Sequence, residues 1–395
     1  MYTNPLRTLT TLLPLVSLST CISPSPHLQN SKSNTTTFNW HTTKSTGVNL
    51  GGWLVQESTI DTEFWTSHSP NATDEWTLCA NLGPQCGPVL ENRYATFITE
   101  SDIDTLAAAG VTILRIPTTY AAWINLTGSA LYSGRQSVHL RRIAEYAIAA
   151  YNMHIILDIH SLPGGLNGLT IGEAEGHWGW FYNETAWNYS LDVMNAALDF
   201  ITDSGSPQSY TLEPLNEPAD RNKESELGMA VFGTPEALSV DAAGYVLGFW
   251  KAVINLVTER GLDVAVMAQS FKLPGYWDGE FEGDAKVVFD MHNYYFEGRE
   301  TTAENLREFM LSDAEGKSGG GSFPVFIGEW SIQAAFNNSF ALRERNLQYG
   351  FGIWEEYTQG SCYWTAKFEG NATVDGEGSQ KDYWSFERFI EAGYL

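Results

Sequence analysis

Apolar, β-branched runs recur along the chain at intervals that leave room for a helix between them. They are "GVNLGG" (47–52), "VTILRIP" (111–117), "HIILDIH" (154–160), "YTLEPLNEP" (210–218), "VAVMAQS" (264–270), "VVFDMHNY" (287–294), "PVFIGEWS" (324–331) and "GSCYWTAK" (360–367). Amphipathic stretches such as "ESDIDTLAAAG", "LRRIAEYAIAAYN", "ALSVDAAGYVLGFWKAVINLVTERG" and "NLREFMLSDAEG" lie between them. Strands alternating with helical patterns imply parallel β-α units. Eight such units predict an α/β fold, a closed (β/α)8 TIM barrel in a single domain. A doubly wound open sheet is the alternative, and the lack of a GxGxxG after an early strand weighs against its dinucleotide-binding form. Two long insertions, 53–100 and 161–190, follow strand ends, so extended loops are expected at the C-terminal face, where barrel enzymes build their sites.

Polar side chains collect at the strand ends. Arg115 closes the second strand, His160 the third, Asn216 and Glu217 the fourth, His292 and Tyr294 the sixth, Glu329 the seventh and Trp364 the eighth. Each alone has a structural reading: a surface ion pair, a hydrogen-bonded histidine, a core tryptophan. A barrel closes all these ends onto one face, and jointly they predict a site there. The fourth run carries two glutamates, Glu213 and Glu217, each followed by proline. Period-2 alternation puts both on one strand face, so position decides between them. Glu217 ends the strand beside Asn216; Glu213 lies four residues deeper and reads as a buried, hydrogen-bonded barrel residue. Pro214 has no role in that reading.

Composition narrows the partners. A formal net charge of −25 opposes binding to nucleic acid or an anionic membrane, which need clustered Lys and Arg. Hydrophobic residues at 43% are enough for a large core. The first residues, "MYTNPLRTLTTLLPLVSLSTC", combine one basic residue with an apolar run too short to span a bilayer, which reads as a secretory signal over 1–22. Residues 23–44 read as a disordered lead-in or pro-segment, and 45–395 as the catalytic domain. Secretion agrees with N-x-S/T triplets at Asn34, Asn71, Asn125, Asn183, Asn188, Asn337 and Asn371. It also agrees with a small disulfide loop between Cys79 and Cys86, whereas Cys362 reads as a buried thiol. No Cys/His spacing calls for a metal, and a monomer is expected.

Two glutamates converging at a barrel mouth are what glycoside hydrolysis needs. One protonates the leaving oxygen; the other attacks the anomeric carbon or activates water. A carboxyl in an apolar setting stays protonated, and one beside a cation stays ionised; Arg115 is the natural cation. A G-x-S-x-G elbow, an H-E-x-x-H and a P-loop are all missing.

The ordered set "LRIP", "DIH", "LNEP", "DMHNY" and "IGEWS" resembles glycoside hydrolase family 5 of clan A. "GVNLGGWLVQES", "DEWTLCANLG" and "FITESDIDTLAAAGVTILRIP" resemble its fungal exo-β-1,3-glucanase branch, from about Gly47 to Phe389. The resemblance implies a retaining double displacement with Glu217 as acid/base and Glu329 as nucleophile. Asn216 would hold the sugar 2-hydroxyl, and Arg115 and Tyr294 would keep Glu329 ionised and aimed. His160 and His292 would bind sugar hydroxyls or support the carboxylates. Glu57 would grip a distal hydroxyl, Asn167 belongs to the retained substrate loop, and Trp364 would floor the sugar site. No cofactor or metal is implied, and the partner is a carbohydrate.

Departures from that branch surround the pocket. The third loop reads "SLPGGLNGLTIGEAEGHWGWFYN", adding Trp178, Trp180 and Phe181, and "ESTI" stands where a Leu-Pro pair is usual. These features are closer to fungal diglycosidases that release rutinose from flavonoid rutinosides. A secreted exo-acting β-1,3-glucanase or β-glucosidase is the first expectation and such a diglycosidase the alternative. A non-catalytic wall-polysaccharide-binding protein is the reading from a different class, and the retention of both glutamates speaks against it.

Overall fold

A computed structural model describes residues 38–220, 232–283, 286–318 and 323–395. The expected signal segment, 1–22, and the lead-in up to residue 37 lie outside the described residues.

Eight parallel strands close in sequence order, each paired with its neighbours and the eighth with the first. They are β1 (Ser45–Asn49), β2 (Ile113–Thr118), β3 (His154–Ile159), β4 (Tyr210–Glu213), β5 (Ala265–Gln269), β6 (Val287–Tyr295), β7 (Val325–Ala334) and β8 (Gly360–Tyr363). The expected TIM barrel is the fold. The four amphipathic stretches become helices Glu100–Ala108, Gln136–Tyr151, Val240–Glu259 and Leu306–Lys317, and Glu184–Asp203 and Arg343–Tyr357 complete the outer layer. Between β5 and β6 the described residues hold only the 3-10 turn Pro274–Trp277. Helix Val240–Glu259 is long and apolar enough to cross a membrane. It instead buries Ala242, Val246, Phe249, Trp250, Val253 and Val257 in the barrel's outer layer.

The interior follows the two-residue period of a strand. Ile113, Ile156, Met267, Val288, Phe326 and Cys362 form an apolar floor, one from each of six strands, and Thr211 of β4 is buried beside them. Two residues further along β2 to β7 the chemistry changes to Arg115, Asp158, Glu213, Gln269, Asp290 and Gly328, with Asn49 on β1, all of them buried. Register sets Asn49 beside Arg115, Asp158 beside Glu213 and Gln269 beside Asp290. A charged layer thus rests on an oily one. Gly328 is dictated by this layer: a Cβ there would lie 2.1 Å from Asp290 Oδ2.

Two boundaries differ from expectation. β4 ends at Glu213, not near Pro218, because Pro214 offers no N–H to continue the ladder; that is the role of Pro214. The lead-in is ordered over its last residues, 38–44. Trp40 is buried against the floor, its ring 5.1 Å from that of Phe326, and its Nε1 donates to Thr211 Oγ1 at 2.9 Å. Phe38 stacks on His154 at 4.1 Å. The chain therefore plugs the barrel from below before entering β1. Cys79 and Cys86 form a disulfide and Cys362 is a buried free thiol.

Candidate active site

Above the charged layer the strands deliver the predicted residues to one place. Glu329 arrives through a bulge. Met291 pairs with Ile327 but His292 pairs with Glu329, so Gly328 is an extra residue on β7. Strict alternation would turn Glu329 away from the side shared by Phe326 and Gly328; the bulge turns it inward. Its Oε1 accepts from Arg115 at 2.6 Å and its Oε2 from the Tyr294 hydroxyl at 2.7 Å. Burial opposes ionisation of Glu329, but His292, Arg115, His160 and the Tyr294 hydroxyl outweigh it and hold the carboxyl below its ordinary range. Burial, with Glu329 beside it, pushes Tyr294 well above the ordinary phenol value, so it donates rather than ionises.

Glu217 stands beyond the end of β4 with φ +49°, a left-handed conformation that costs a non-glycine residue about 1–2 kcal/mol. Two side chains restrain it. Gln269 Oε1 accepts from its backbone N–H at 2.7 Å, and Asn167 Nδ2 donates to its carbonyl at 3.1 Å. His292 Nδ1 lies 2.8 Å from Glu217 Oε1 and 3.5 Å from Glu329 Oε2, so one imidazole touches both carboxylates. An oxygen of Glu217 and one of Glu329 lie within 4.8 Å of each other. The His292 Nε2 faces Asp290 at 3.2 Å. Burial opposes its charged form, but Glu329 and Asp290 prevail and raise it well above the ordinary imidazole value. One acid thus lies at each ring nitrogen, Glu217 at Nδ1 and Asp290 at Nε2.

His160 Nδ1 lies 2.6 Å from Asp158, and its ring stacks at 5.9 Å on that of Trp364, just past β8. Asn216 places Oδ1 on Arg115 at 2.8 Å and Nδ2 toward His160 Nε2 at 3.4 Å. Glu57 is part of the same field: burial pushes its carboxyl up to about 8, with Glu329 and Glu217 adding and His160 and Arg115 opposing. Its Oε1 is buried without a hydrogen-bond partner. The oxygen and nitrogen atoms of Glu213, Asp290 and His292 are close enough to hold an ion. Both Glu213 oxygens already accept from Arg115, however, and that guanidinium supplies the positive charge.

Asn167, from the long loop after β3, has a fully buried amide that accepts from Leu169 N at 3.0 Å and donates to the Glu217 carbonyl at 3.1 Å. The aromatic rim also changes. Trp180 is wholly buried among Phe181, Trp187, Tyr245 and Phe249, whereas Trp178 is half-buried and lies on Gly168, where a Cβ would fall 2.0 Å from its ring. Asn49, Asp158, Gln269 and Asp290 belong to the same site but fall outside the pattern of polar strand ends. A signal was present: "DIH" and "DMH" repeat one spacing, Asp158 to His160 and Asp290 to His292, which puts each acid on the same strand face as its histidine.

Paired carboxylates held this way at the C-terminal mouth of a barrel place the chain among enzymes that work by acid–base and nucleophilic carboxylate chemistry. The family model for Cellulase (glycosyl hydrolase family 5) matches residues 80–370, and the chain belongs to that family. A probable glucan 1,3-beta-glucosidase A of Neosartorya fischeri is 30% identical over 292 residues, 72% of this chain and 64% of that protein. The chain therefore spans a little under two thirds of that relative's length. Glucan 1,3-beta-glucosidase 1 of Schizosaccharomyces pombe is 28% identical over 310 residues, 76% of this chain and 71% of that one. Rutinosidase from Aspergillus niger, a crystal structure, superposes with a TM-score of 0.89 at 59% identity, covering 91% of this chain and 99% of that one.

Proposed function

We propose that the protein is a retaining β-glycosidase in which Glu217 is the acid/base and Glu329 the nucleophile. The observation that carries this reading is the approach of the two carboxylates to within 4.8 Å. Retaining enzymes keep their carboxyl groups about 5–5.5 Å apart, whereas inverting ones leave about 6.5–9.5 Å for a water. Glu217 protonates the glycosidic oxygen as Glu329 attacks the anomeric carbon, and the leaving group departs with that proton. Glu217 then takes a proton from water, which attacks the glycosyl-enzyme and frees Glu329 with the β-configuration restored. Arg115 and Tyr294 keep Glu329 ionised between turnovers. Asn216, oriented by Arg115, faces the 2-hydroxyl. His160 and Trp364 form a wall of the sugar site, and Glu57, neutral below about pH 8, can both donate to and accept from a distal hydroxyl.

For the substrate, 59% identity to a rutinosidase along nearly all of that chain supports a flavonoid diglycoside cleaved between disaccharide and aglycone. The glucan 1,3-beta-glucosidases, at 30% and 28% identity, support exo-hydrolysis of β-1,3-glucan as the second reading. Assaying rutin and laminarin side by side, with the released sugar identified, separates them. Intact rutinose from rutin is expected; glucose from laminarin with rutin untouched would favour the glucanase, and turnover of neither would remove the glycosidase reading. A secreted, glycosylated chain is part of the proposal. Its support is the Cys79–Cys86 disulfide and the exposure of every described triplet asparagine: Asn71, Asn125, Asn183, Asn188, Asn337 and Asn371. Asn34 lies outside the described residues.

A further inference from the structure

Arg115 has five N–H bonds, and each makes one hydrogen bond. Nε donates to Glu213 Oε2 at 2.7 Å; one terminal nitrogen donates to Glu213 Oε1 at 3.0 Å and Asn216 Oδ1 at 2.8 Å. The other donates to Asn49 Oδ1 at 3.1 Å and Glu329 Oε1 at 2.6 Å. A planar guanidinium bound on every edge cannot turn without breaking several of these at once. Two of its acceptors, Asn216 and Glu329, face the reacting sugar in the function proposed above. Glu213 does not: it is the last residue of β4, fully buried in the charged layer, paired in register with Asp158. Its two oxygens nonetheless hold the Nε edge as a fork, the strongest geometric restraint on the plane.

We propose that Glu213 is a positioning residue: its fork sets the Arg115 plane, and that one rigid plane sets both the aim of Glu329 and the orientation of Asn216. This rests on Glu329 being the nucleophile and Asn216 the 2-hydroxyl ligand. Asp158 and Asp290 lie 3.1 and 3.9 Å from the same guanidinium, so its charge stays compensated without Glu213, but neither forms a fork with it. The plane's orientation is what depends on Glu213.

Glu213→Gln keeps the shape and one acceptor while turning the second fork oxygen into a donor that faces an N–H. Steady-state kinetics on rutin, or on an aryl β-glucoside, are expected to show kcat lower by roughly tenfold to a hundredfold, the range for a charge-assisted hydrogen bond, with KM within about threefold. The acid limb of kcat/KM should move to higher pH, because a misaimed Arg115 holds Glu329 ionised less well. Glu213→Asp keeps both carboxyl oxygens but withdraws the fork by one methylene; it should lose less activity, and it is the variant to read if Glu213→Gln does not fold. A merely structural Glu213 would give lowered melting temperatures with kcat and the acid limb unchanged, which overturns the positioning role while leaving the glycosidase reading intact. Failure of the unmodified chain to turn over either substrate would remove the functional reading and the positioning role with it.

Discussion

The amide of Asn167 reaches the backbone carbonyl of Glu217 at 3.1 Å, joining the long loop after β3 to a residue held at φ +49°. The bond restrains a strained carboxylate carrier from behind. Asn167→Ala should therefore lower kcat by roughly tenfold, in line with about 1–2 kcal/mol for a lost buried hydrogen bond, and leave KM nearly unchanged. A direct sugar ligand would show the reverse split, a raised KM at constant kcat. Steady-state kinetics distinguish the two.

Tyr294→Phe removes only the hydroxyl that meets Glu329 Oε2. The ring contacts with Phe296 and Trp384, at 5.7 and 5.3 Å, remain, so folding should be unaffected. A hydrogen bond to an ionised group is worth about 1.5–3 kcal/mol, which predicts a loss of about ten- to a hundredfold in kcat/KM. The acid limb of the pH profile should also rise, since Glu329 loses one of the groups that keep it ionised.

Trp40 is the plug of the barrel floor and lies at the opposite end from the chemistry. Trp40→Ala should cost about 3 kcal/mol, as for other large buried aromatics, seen as a lower midpoint in urea. At temperatures where the variant is folded, kcat and KM should match the unmodified protein.

Burial pushes Glu75 up to about 8 from an ordinary 4.5, with Asp74 adding and the Gln56 N–H and Arg93 opposing. The folded carboxyl thus holds its proton more tightly than the unfolded chain does. Its contribution to stability is full below about pH 4.5 and is lost as pH rises toward 8. The slope is at most about 1.4 kcal/mol per pH unit. Glu57 acts with the same sign. Melting temperature should fall across this window, and Glu75→Gln, which can still accept from Gln56 N, should flatten the fall. An unchanged slope in that variant would show that Glu75 does not hold the proton.

Much of the architecture could be read from the pattern, because a barrel strand has a period of two and a polar end. The eight strands, the shared mouth and the convergence of Arg115, Asn216, Glu217, His292, Tyr294 and Glu329 all follow from that. Three things did not, for reasons of geometry. The bulge at Gly328 inverts the facing of Glu329; a glycine inside a strand run is its only local signal, and that signal does not fix the facing of the residues after it. The early stop of β4 makes Glu217 a loop residue with its own restraints, Gln269 and Asn167, from elements distant in sequence. In the charged layer, Glu213 reads from the sequence as a buried, hydrogen-bonded barrel residue, but Asn49, Asp158, Gln269 and Asp290 lie one step deeper than the polar strand ends and carry no end-of-strand signal. Phe38 and Trp40 were hidden for another reason: two aromatics in a Ser/Thr/Asn-rich stretch read as a loose lead-in until a floor exists for them to cover.

In the proposed double displacement Glu329 forms the covalent bond to the sugar. Incubation with a 2-deoxy-2-fluoro-β-glucoside bearing an activated leaving group, followed by digestion and mass spectrometry, reads this directly. One sugar is expected per chain, on the peptide carrying Glu329, with no adduct in Glu329→Gln. A label on the peptide carrying Glu217 or Glu57 would contradict it.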